Sequence, residues 1–172
     1  MNSLASLTIV SGGQTGVDRA ALDFALRHGL PHGGWCPRGR RAEDGVLDAR
    51  YQLQESTSRK YAQRTKWNVR DSDGTVVFSV GRELSGGTLF TYQLAQQADA
   101  PVLQLVHQQG DRESQNVAAC AASLRGFVST YRIQKLNVAG PRASQAPDLP
   151  RFVEAVLSGA LLPSSTARAH NS

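Results

Sequence analysis

The stretch "IVSGGQTGVDRAALDFAL", residues 9–26, contains a short apolar strand, a glycine-rich turn and a helix in succession. The helical part carries apolar residues at helical spacing, and Gly29 provides its stop signal. Glycines in the turn permit positive φ and close backbone approach, and the helix that follows presents unpaired N–H groups at its positive end. This arrangement can hold a phosphate-like anion, although a tight turn without a ligand has the same sequence pattern.

The rest of the chain continues this alternation of strands and helices. Nearly continuous apolar runs at 75–80 and 101–106 are typical of strands covered on both faces, and a shorter run at 135–140 predicts the last strand. The remaining periodic segments predict helices over 58–70, 88–97, 116–130 and 149–161. We therefore predict an α/β protein with a single Rossmann-like domain, in which a mostly parallel sheet has helices on both faces.

Length and composition are those of an ordinary globular protein. The 172 residues fit one domain, which we place at 1–163, and the small, polar segment 164–172 predicts a disordered tail. No apolar run approaches the ~20 residues that span a bilayer, and the two cysteines form no CxxC pair. We therefore expect a cytoplasmic protein without a membrane partner, a disulfide framework or a zinc site. The net charge of +5 favours an anionic partner.

Two further glycine-containing segments follow predicted strands. "SGGT", residues 85–88, begins a helix, and "NVAGPRAS", residues 137–144, follows the last strand. Because the carboxyl ends of parallel strands lie at one edge of a sheet, we expect both segments to lie beside the first glycine turn. Arg142 could clamp a phosphate or a carboxylate through its planar guanidinium group, or it could be a solvated surface arginine.

The loop "GGWCPRGRRAEDG", residues 33–45, is rich in arginine. In a functional interpretation Arg38 and Arg40 neutralise an anion and Trp35 stacks on a planar ring; in the alternative Trp35 lies in the core and the arginines lie in solvent. Cys36 could be a thiolate ligand or a small buried hydrophobic residue. Its role stays open at this point.

Other polar residues give weaker signals. Asp71 and Asp73 belong to a turn before a strand, and their role also stays open. Thr65 and Asn68 share a helix face and could offer polar contacts. The histidines form no ligand spacing and no Ser-His-Asp arrangement is evident, so we predict neither catalytic residues nor a metal site.

Together with "YxLxE" at 51–55 and "YxxRTxWNVRDSDGTVV" at 61–77, these segments resemble the molybdenum cofactor carrier family over residues 7–161. The resemblance implies a Rossmann-like fold related to the lysine-decarboxylase-like nucleotide-binding proteins. It also implies non-catalytic binding, protection and transfer of the molybdenum cofactor, molybdopterin, with molybdoenzymes as acceptors and a homo-oligomer, dimer or tetramer, as the assembly. Molybdate or phosphate is the simpler alternative ligand.

The resemblance carries a set of cofactor-binding residues onto this sequence. They are Gly12, Gly13, Gln14, Thr15, Gly16, Arg19, Arg38, Arg40, Ser85, Gly86, Gly87, Thr88, Gly140, Arg142 and Ser144.

Two other functions are compatible with parts of the sequence. A phosphoribohydrolase of the related lysine-decarboxylase-like fold would have a glutamate after its Gly-Gly-x-Gly-Thr turn, whereas here no acid follows "SGGTLFTYQLA" until Asp99. Glu83, which precedes that turn, could substitute. Nucleic-acid binding would depend on net charge alone, and no motif supports it, so we do not expect a nucleic-acid partner.

Overall fold

The computed structural model describes residues 7–163; the predicted tail lies outside this range. The helices in this part of the chain are α1 (Val17–Arg27), α2 (Tyr61–Arg70), α3 (Gly86–Gln97), α4 (Glu113–Thr130) and α5 (Leu149–Leu161). The strands are β1 (Thr8–Val10), β2 (His32–Gly33), β3 (Trp35–Cys36), β4 (Arg41–Ala42), β5 (Gly45–Val46), β6 (Gln54–Glu55), β7 (Gly74–Ser79), β8 (Val102–Val106) and β9 (Lys135–Ala139). Within the described residues, no helix combines the length and the apolar composition that a membrane crossing requires.

The central sheet has five parallel strands in the order β2-β1-β9-β7-β8. The last strand of the chain, β9, therefore lies between β1 and β7. The strands can be renumbered as if the chain began at β9, so that β9 is strand 1, followed by β1, β2, β7 and β8. Their order in the sheet is then 3-2-1-4-5, which is the order of the first five strands of the Rossmann sheet. The predicted α/β fold with a mostly parallel sheet is confirmed, and its connectivity is that of a circularly permuted Rossmann sheet.

One face of the sheet carries the main hydrophobic core. Helix α5 packs against both α1 and α4 there, and the side chains of Val76 and Phe78 point toward this layer from β7. Phe152 of α5 is fully buried, with its ring edge-on to Phe78 and stacked on His107. Leu124, Leu136 and other aliphatic side chains complete this core.

The opposite face of the sheet is covered by α2 and α3 and combines buried polar side chains with a few apolar ones such as Val77. Asn137 of β9 donates a hydrogen bond to Thr75 of β7 at 3.2 Å, and both side chains are buried. Thr65, Asn68 and Thr91 of the two helices are buried as well. The N-cap of α2 is Lys60 rather than the predicted Ser58, and the Ser58 hydroxyl accepts a hydrogen bond from the Lys60 N–H in the preceding turn.

The aperiodic loop between residues 37 and 57 has a small core of its own. Leu22 of α1 packs there with Cys36, Leu47, Tyr51 and Leu53, all of which are buried. A short antiparallel hairpin, β4–β5, projects from this loop. The loop is therefore an ordered element that lies against the first glycine turn.

Candidate functional site

A cleft of about 270 Å³ opens at the carboxyl ends of β7 and β9. Four segments converge on it, and its lining residues are Gln14, Asp18, Tyr61, Ala62, Arg64, Thr65, Gly87, Thr88, Phe90, Thr91, Ala139, Gly140, Arg142 and Gln145. A second cavity of about 400 Å³ adjoins it, shares Thr88 and Gln145, and also contains Ser85 and Glu83. At this edge the crossover through α1 leads to one side of the sheet and the crossover through α3 leads to the other. Such a topological switch point is where Rossmann-type sheets bind ligands.

Helix α2 contributes the buried cation of the cleft. Arg64 Nη1 donates to Asp18 Oδ2 at 3.0 Å, and their side chains are only 13% and 4% exposed. A Cβ at position 12 would lie 1.6 Å from Arg64 Nη1, so Gly12 leaves the space that the guanidinium group occupies. Arg64 Nε is buried without a hydrogen-bond partner among the described residues. The floor of the cleft therefore has a guanidinium group whose bonding capacity is only partly used.

Three guanidinium groups lie around the Tyr61 ring, and two of them belong to arginines that line the cleft. The Cζ atoms of Arg64 and Arg142 lie 5.6 and 5.5 Å from the centre of its ring. Both distances fall in the range of cation–π attraction. Tyr61 therefore links the arginine from α2 with the arginine that follows β9, although the two are distant in sequence.

Gln14 leaves an unused donor in the lining of the cleft. Its Oε1 accepts hydrogen bonds from the N–H groups of Thr15 and Glu43, at 3.0 and 2.8 Å, which fixes the orientation of the amide. Nε2 then has no partner among the described residues, although Gln14 is only 5% exposed. Buried donors are nearly always paired, so this amide group is available to an acceptor that enters the cleft, a water molecule or a ligand oxygen.

The start of α3 adds backbone donors. The Ser85 side chain makes no capping bond, and the N–H groups of the first turn have no acceptor within the helix. A Cβ added at Gly86 or Gly87 would meet no atom within 4 Å. This positive helix end is therefore open toward the cleft, which favours an anionic group there.

Asp18 is the one acid in the floor of the cleft. Burial raises the pKa of its carboxyl group above the ordinary value, while Arg64 acts in the opposite direction. The Gln14 N–H also donates to Asp18 Oδ2, at 3.3 Å. Asp18 thus positions both Arg64 and the glycine turn. In the part of the chain that the structure describes, the second arginine of the cleft, Arg142, forms no ion pair with Asp18.

The predicted glycines have different roles in the structure. Gly87 and Gly140 line the cleft. Gly13, at φ +77°, faces Leu47 and Leu53, whereas Gly16, at φ +83°, lies so close to the backbone after β9 that a Cβ would be 2.5 Å from the Pro141 carbonyl oxygen. Gly13 and Gly16 therefore have the positive φ that the sequence predicted, and they also allow the close packing of the turn.

Arg38 and Arg40 do not line the cleft among the described residues. The Arg40 guanidinium donates instead to backbone carbonyls of the 37–57 loop, those of Leu47, Asp48, Tyr51 and Leu53 at 2.8 to 3.3 Å. Arg38 is exposed, and its backbone N–H donates to the Ser58 carbonyl. Arg40 therefore organises the loop, and the arginines that line the cleft are Arg64 and Arg142.

Three other predicted residues bind acids of the chain itself. Thr15 and Ser144 donate to the Glu43 carboxylate, and Arg19 forms a two-bond ion pair with Asp44 at 3.0 and 3.1 Å. These side chains lie at the edge of the cleft beside Arg142, which is 3.9 Å from Glu43.

Sequence reasoning missed Tyr61 and Arg64 as site residues. The signal was present, because Tyr61, Arg64 and Thr65 stand at positions i, i+3 and i+4 of one helix and therefore share a face. Gln145 and Phe90 were missed too, and neither gave a sequence signal beyond its proximity to a glycine segment.

The residues whose role was open are structural. Trp35 Nε1 donates to Asp71 at 2.7 Å, and Asp73 accepts the N–H groups of Gln134 and Lys135. Cys36 is fully buried, and burial raises the pKa of its thiol, which disfavours the thiolate.

Comparisons with known proteins agree with this architecture. Residues 9–161 match the model of the circularly permutated YpsA SLOG family. The chain is also similar to a crystal structure from Syntrophus aciditrophicus SB of a protein named "Putative molybdenum carrier protein", with a TM-score of 0.83 and 42% sequence identity, over 91% of this chain and 96% of that one. No curated protein matches the chain. The similarity to molybdenum carriers that the sequence motifs indicate is thus confirmed, and the chain belongs to the circularly permutated YpsA SLOG family.

Proposed function

We propose that the chain is a non-catalytic carrier that binds an anionic molybdenum compound, the molybdenum cofactor, in the cleft at the ends of β7 and β9. The observation that carries the proposal is the convergence of unused donors on one cleft. These donors are the Arg64 Nε, the Gln14 Nε2 and the open start of α3, with Arg142 beside them. The molybdenum carrier name of the similar structure supports the metal in particular.

The chemistry of the cleft suits each part of such a ligand. The cofactor combines a pterin, a phosphate and an oxyanion-like molybdenum centre. Guanidinium groups and helix N–H groups suit its phosphate and its oxo groups. Phe90 offers aromatic surface to a pterin ring, and the adjoining cavity of about 400 Å³ extends the available space. Molybdate or phosphate alone would use the same donors.

The direct test is the ligand that co-purifies with the protein from its producing cells. Metal analysis and pterin fluorescence should detect molybdenum and a pterin in stoichiometric amounts. Phosphate or a nucleotide in their place would contradict the proposed ligand.

Variants test whether the cleft is the binding site. Replacing Arg142 by Ala should weaken molybdate or cofactor binding about tenfold or more, because a hydrogen bond to a charged group is lost. The matched control is Arg38→Ala, which removes an exposed arginine outside the cleft. Equal losses in both variants, or no loss in either, would show that the cleft is not the site.

A second candidate function has one observation in its favour. Glu83 lies in the cavity that adjoins the cleft, together with Ser85 and Thr88, so an acid is available near the second glycine turn. A nucleoside-monophosphate phosphoribohydrolase-like enzyme would release adenine from adenosine monophosphate and would lose this activity in Glu83→Gln. A carrier would release none.

The proposal also includes the cellular location of the protein, its assembly and its partners. We propose a cytoplasmic homo-oligomer, a dimer or tetramer, that delivers the cofactor to molybdoenzymes. Light scattering on the purified chain tests the oligomer, and transfer of cofactor to an apo-molybdoenzyme tests delivery. A monomer that does not activate the apoenzyme would contradict both.

A further inference from the structure

An exposed hairpin places two carboxylates on the edge of the cleft. The hairpin pairs Arg41 with Val46 and Ala42 with Gly45, and Glu43 and Asp44 form its tip. Glu43 Oε1 accepts hydrogen bonds from the Thr15 hydroxyl and from the Ser144 N–H, and Oε2 accepts one from the Ser144 hydroxyl at 2.7 Å.

The Glu43 carboxylate is surrounded as an oxyanion ligand would be. Two hydroxyl groups and one backbone N–H donate to its oxygens, and Arg142 Nη1 lies 3.9 Å from Oε2. The Thr15 hydroxyl oxygen also accepts the Ala143 N–H at 3.1 Å, which fixes its direction. A phosphate or molybdate oxygen would use these same donors.

Besides these bonds, the Glu43 N–H donates to Gln14 Oε1 at 2.8 Å, and the rest of the tip has little attachment. Asp44, Gly45 and Val46 are exposed, and Val46 has 77% of its surface in solvent. The Asp44 carboxylate pairs with Arg19, and both tip acids therefore hold the hairpin through polar contacts. At its base the hairpin is fixed, because the Leu47 N–H donates to the Arg40 carbonyl and Leu47 is buried.

We propose that Thr15, Ser144 and Arg142 form an oxyanion subsite, that Glu43 is its internal ligand, and that an incoming phosphate- or molybdate-type group competes with Glu43 for it. This inference rests on the proposed function, since it assigns a regulation to the edge of the same cleft. The entering oxyanion displaces the carboxylate because two anions cannot share the same donors. The hairpin tip then leaves the edge of the cleft, and without a ligand it closes the subsite.

The test compares oxyanion affinity in variants with equal net charge. Calorimetric titration with sodium molybdate and with inorganic phosphate in a chloride buffer is carried out on the wild type, Glu43→Gln and Glu154→Gln. Glu43→Gln should bind about three- to tenfold more tightly, because the competing charged acceptor is gone. Glu154 pairs with Arg27 and lies on α5, so Glu154→Gln carries the same charge change and should bind as the wild type does.

A second measurement follows the hairpin itself. The Gly45 amide resonance should shift when molybdate is added to the wild type and should shift in the same direction in Glu43→Gln without molybdate. If Glu43→Gln binds oxyanions as the wild type does, or more weakly, the internal ligand is refuted and the carrier function stands. If no form of the protein binds an oxyanion and none co-purifies with it, the proposed function fails and this inference fails with it.

Discussion

The two faces of the central sheet differ in chemistry although helices cover both. On the side of α1, α4 and α5 the buried side chains form the main apolar cluster, which includes Phe78 and Phe152. On the side of α2 and α3 the buried set includes Thr75, Asn137 and Thr91. The cleft opens beside the second set. One face therefore provides most of the hydrophobic stabilisation, while the other provides a hydrogen-bonded floor for the Asp18–Arg64 pair.

The comparison explains how a buried ion pair can lie beneath a ligand cleft. Desolvation disfavours charge in an apolar interior, but polar neighbours and a partner at 3.0 Å reduce that cost. A face built only of aliphatic side chains could not hold Arg64 with unused bonding capacity. The polar face thus gives up some hydrophobic stabilisation and gains a positioned cation.

Matched aromatic truncations on the two faces should give the largest contrast. Phe152→Ala removes a fully buried ring from the apolar core and should lower the free energy of unfolding by about 3–5 kcal/mol. Phe90→Ala removes a partly buried ring from the cleft and should cost only about 1–2 kcal/mol. Urea denaturation gives both values. Ligand affinity should fall in Phe90→Ala alone, and comparable stability losses would show that the faces do not differ in this way.

A pair of glycine substitutions separates packing from binding at the cleft. Gly16→Ala should cost at least about 1–2 kcal/mol, since φ is +83° and the new Cβ would meet backbone atoms. Gly87→Ala meets open space and should change stability by less than about 1 kcal/mol, yet it narrows the approach to the start of α3 and should weaken oxyanion binding. Thermal unfolding and titration measure the two effects. A stable Gly16→Ala protein would refute the packing role.

The sequence predicted the sheet better than the site. The runs at 75–80 and 101–106 became β7 and β8 within one residue at each end, because a central parallel strand needs a continuous apolar run. The polar face gave no comparable sequence pattern, because a single Thr or Asn within an apolar strand does not by itself indicate which face of the sheet is polar. Asp18 and Arg64 are 46 residues apart, and their pairing depends on tertiary packing that no local pattern contains.

The glycines and arginines show what a sequence pattern leaves undetermined at a candidate site. Positive φ at Gly13 and Gly16 follows from the turn, but whether a glycine faces a ligand or a neighbouring side chain depends on what packs there. Arg40 looked like an anion-binding residue, and it binds carbonyl groups of its own loop instead. The sequence of a Rossmann-like chain thus indicates which edge of the sheet carries the candidate site, whereas tertiary packing determines which side chains line the cleft.

Replacing Thr91 by Val tests one hydrogen bond of the polar face. The buried Thr91 hydroxyl donates to the Gly87 carbonyl at 2.8 Å and lies on the cleft. Valine keeps the shape and loses the bond, so the free energy of unfolding should fall by about 0.5–1.5 kcal/mol. Chemical denaturation measures the loss. An unchanged or higher stability would indicate that polarity on this face contributes nothing to the fold.

The smallest effect concerns the acids at the edge of the cleft and depends on pH. Hydrogen bonds from Thr15 and Ser144 lower the pKa of Glu43, and the bond from Arg19 lowers the pKa of Asp44. A carboxyl group with a lowered folded-state pKa stabilises the fold fully above its unfolded pKa, about 4.3 for Glu and 3.9 for Asp, and this stabilisation is lost as the pH falls through the folded values. The wild type should therefore have a higher free energy of unfolding than the double variant Glu43→Gln, Asp44→Asn. This difference, called the stability gap below, should be constant above about pH 5 and should become smaller below about pH 4.

Urea denaturation from pH 3 to 7 measures this gap, with Val156→Ala as the control from the apolar face. Val156 is fully buried and carries no titrating group, so its gap to the wild type should not change with pH. If the double variant behaves like Val156→Ala, the two carboxylates do not hold the hairpin in the folded state. If the gap becomes smaller at low pH for the double variant alone, the charged carboxylates hold the hairpin against the edge of the cleft, whereas apolar packing stabilises the opposite face of the sheet.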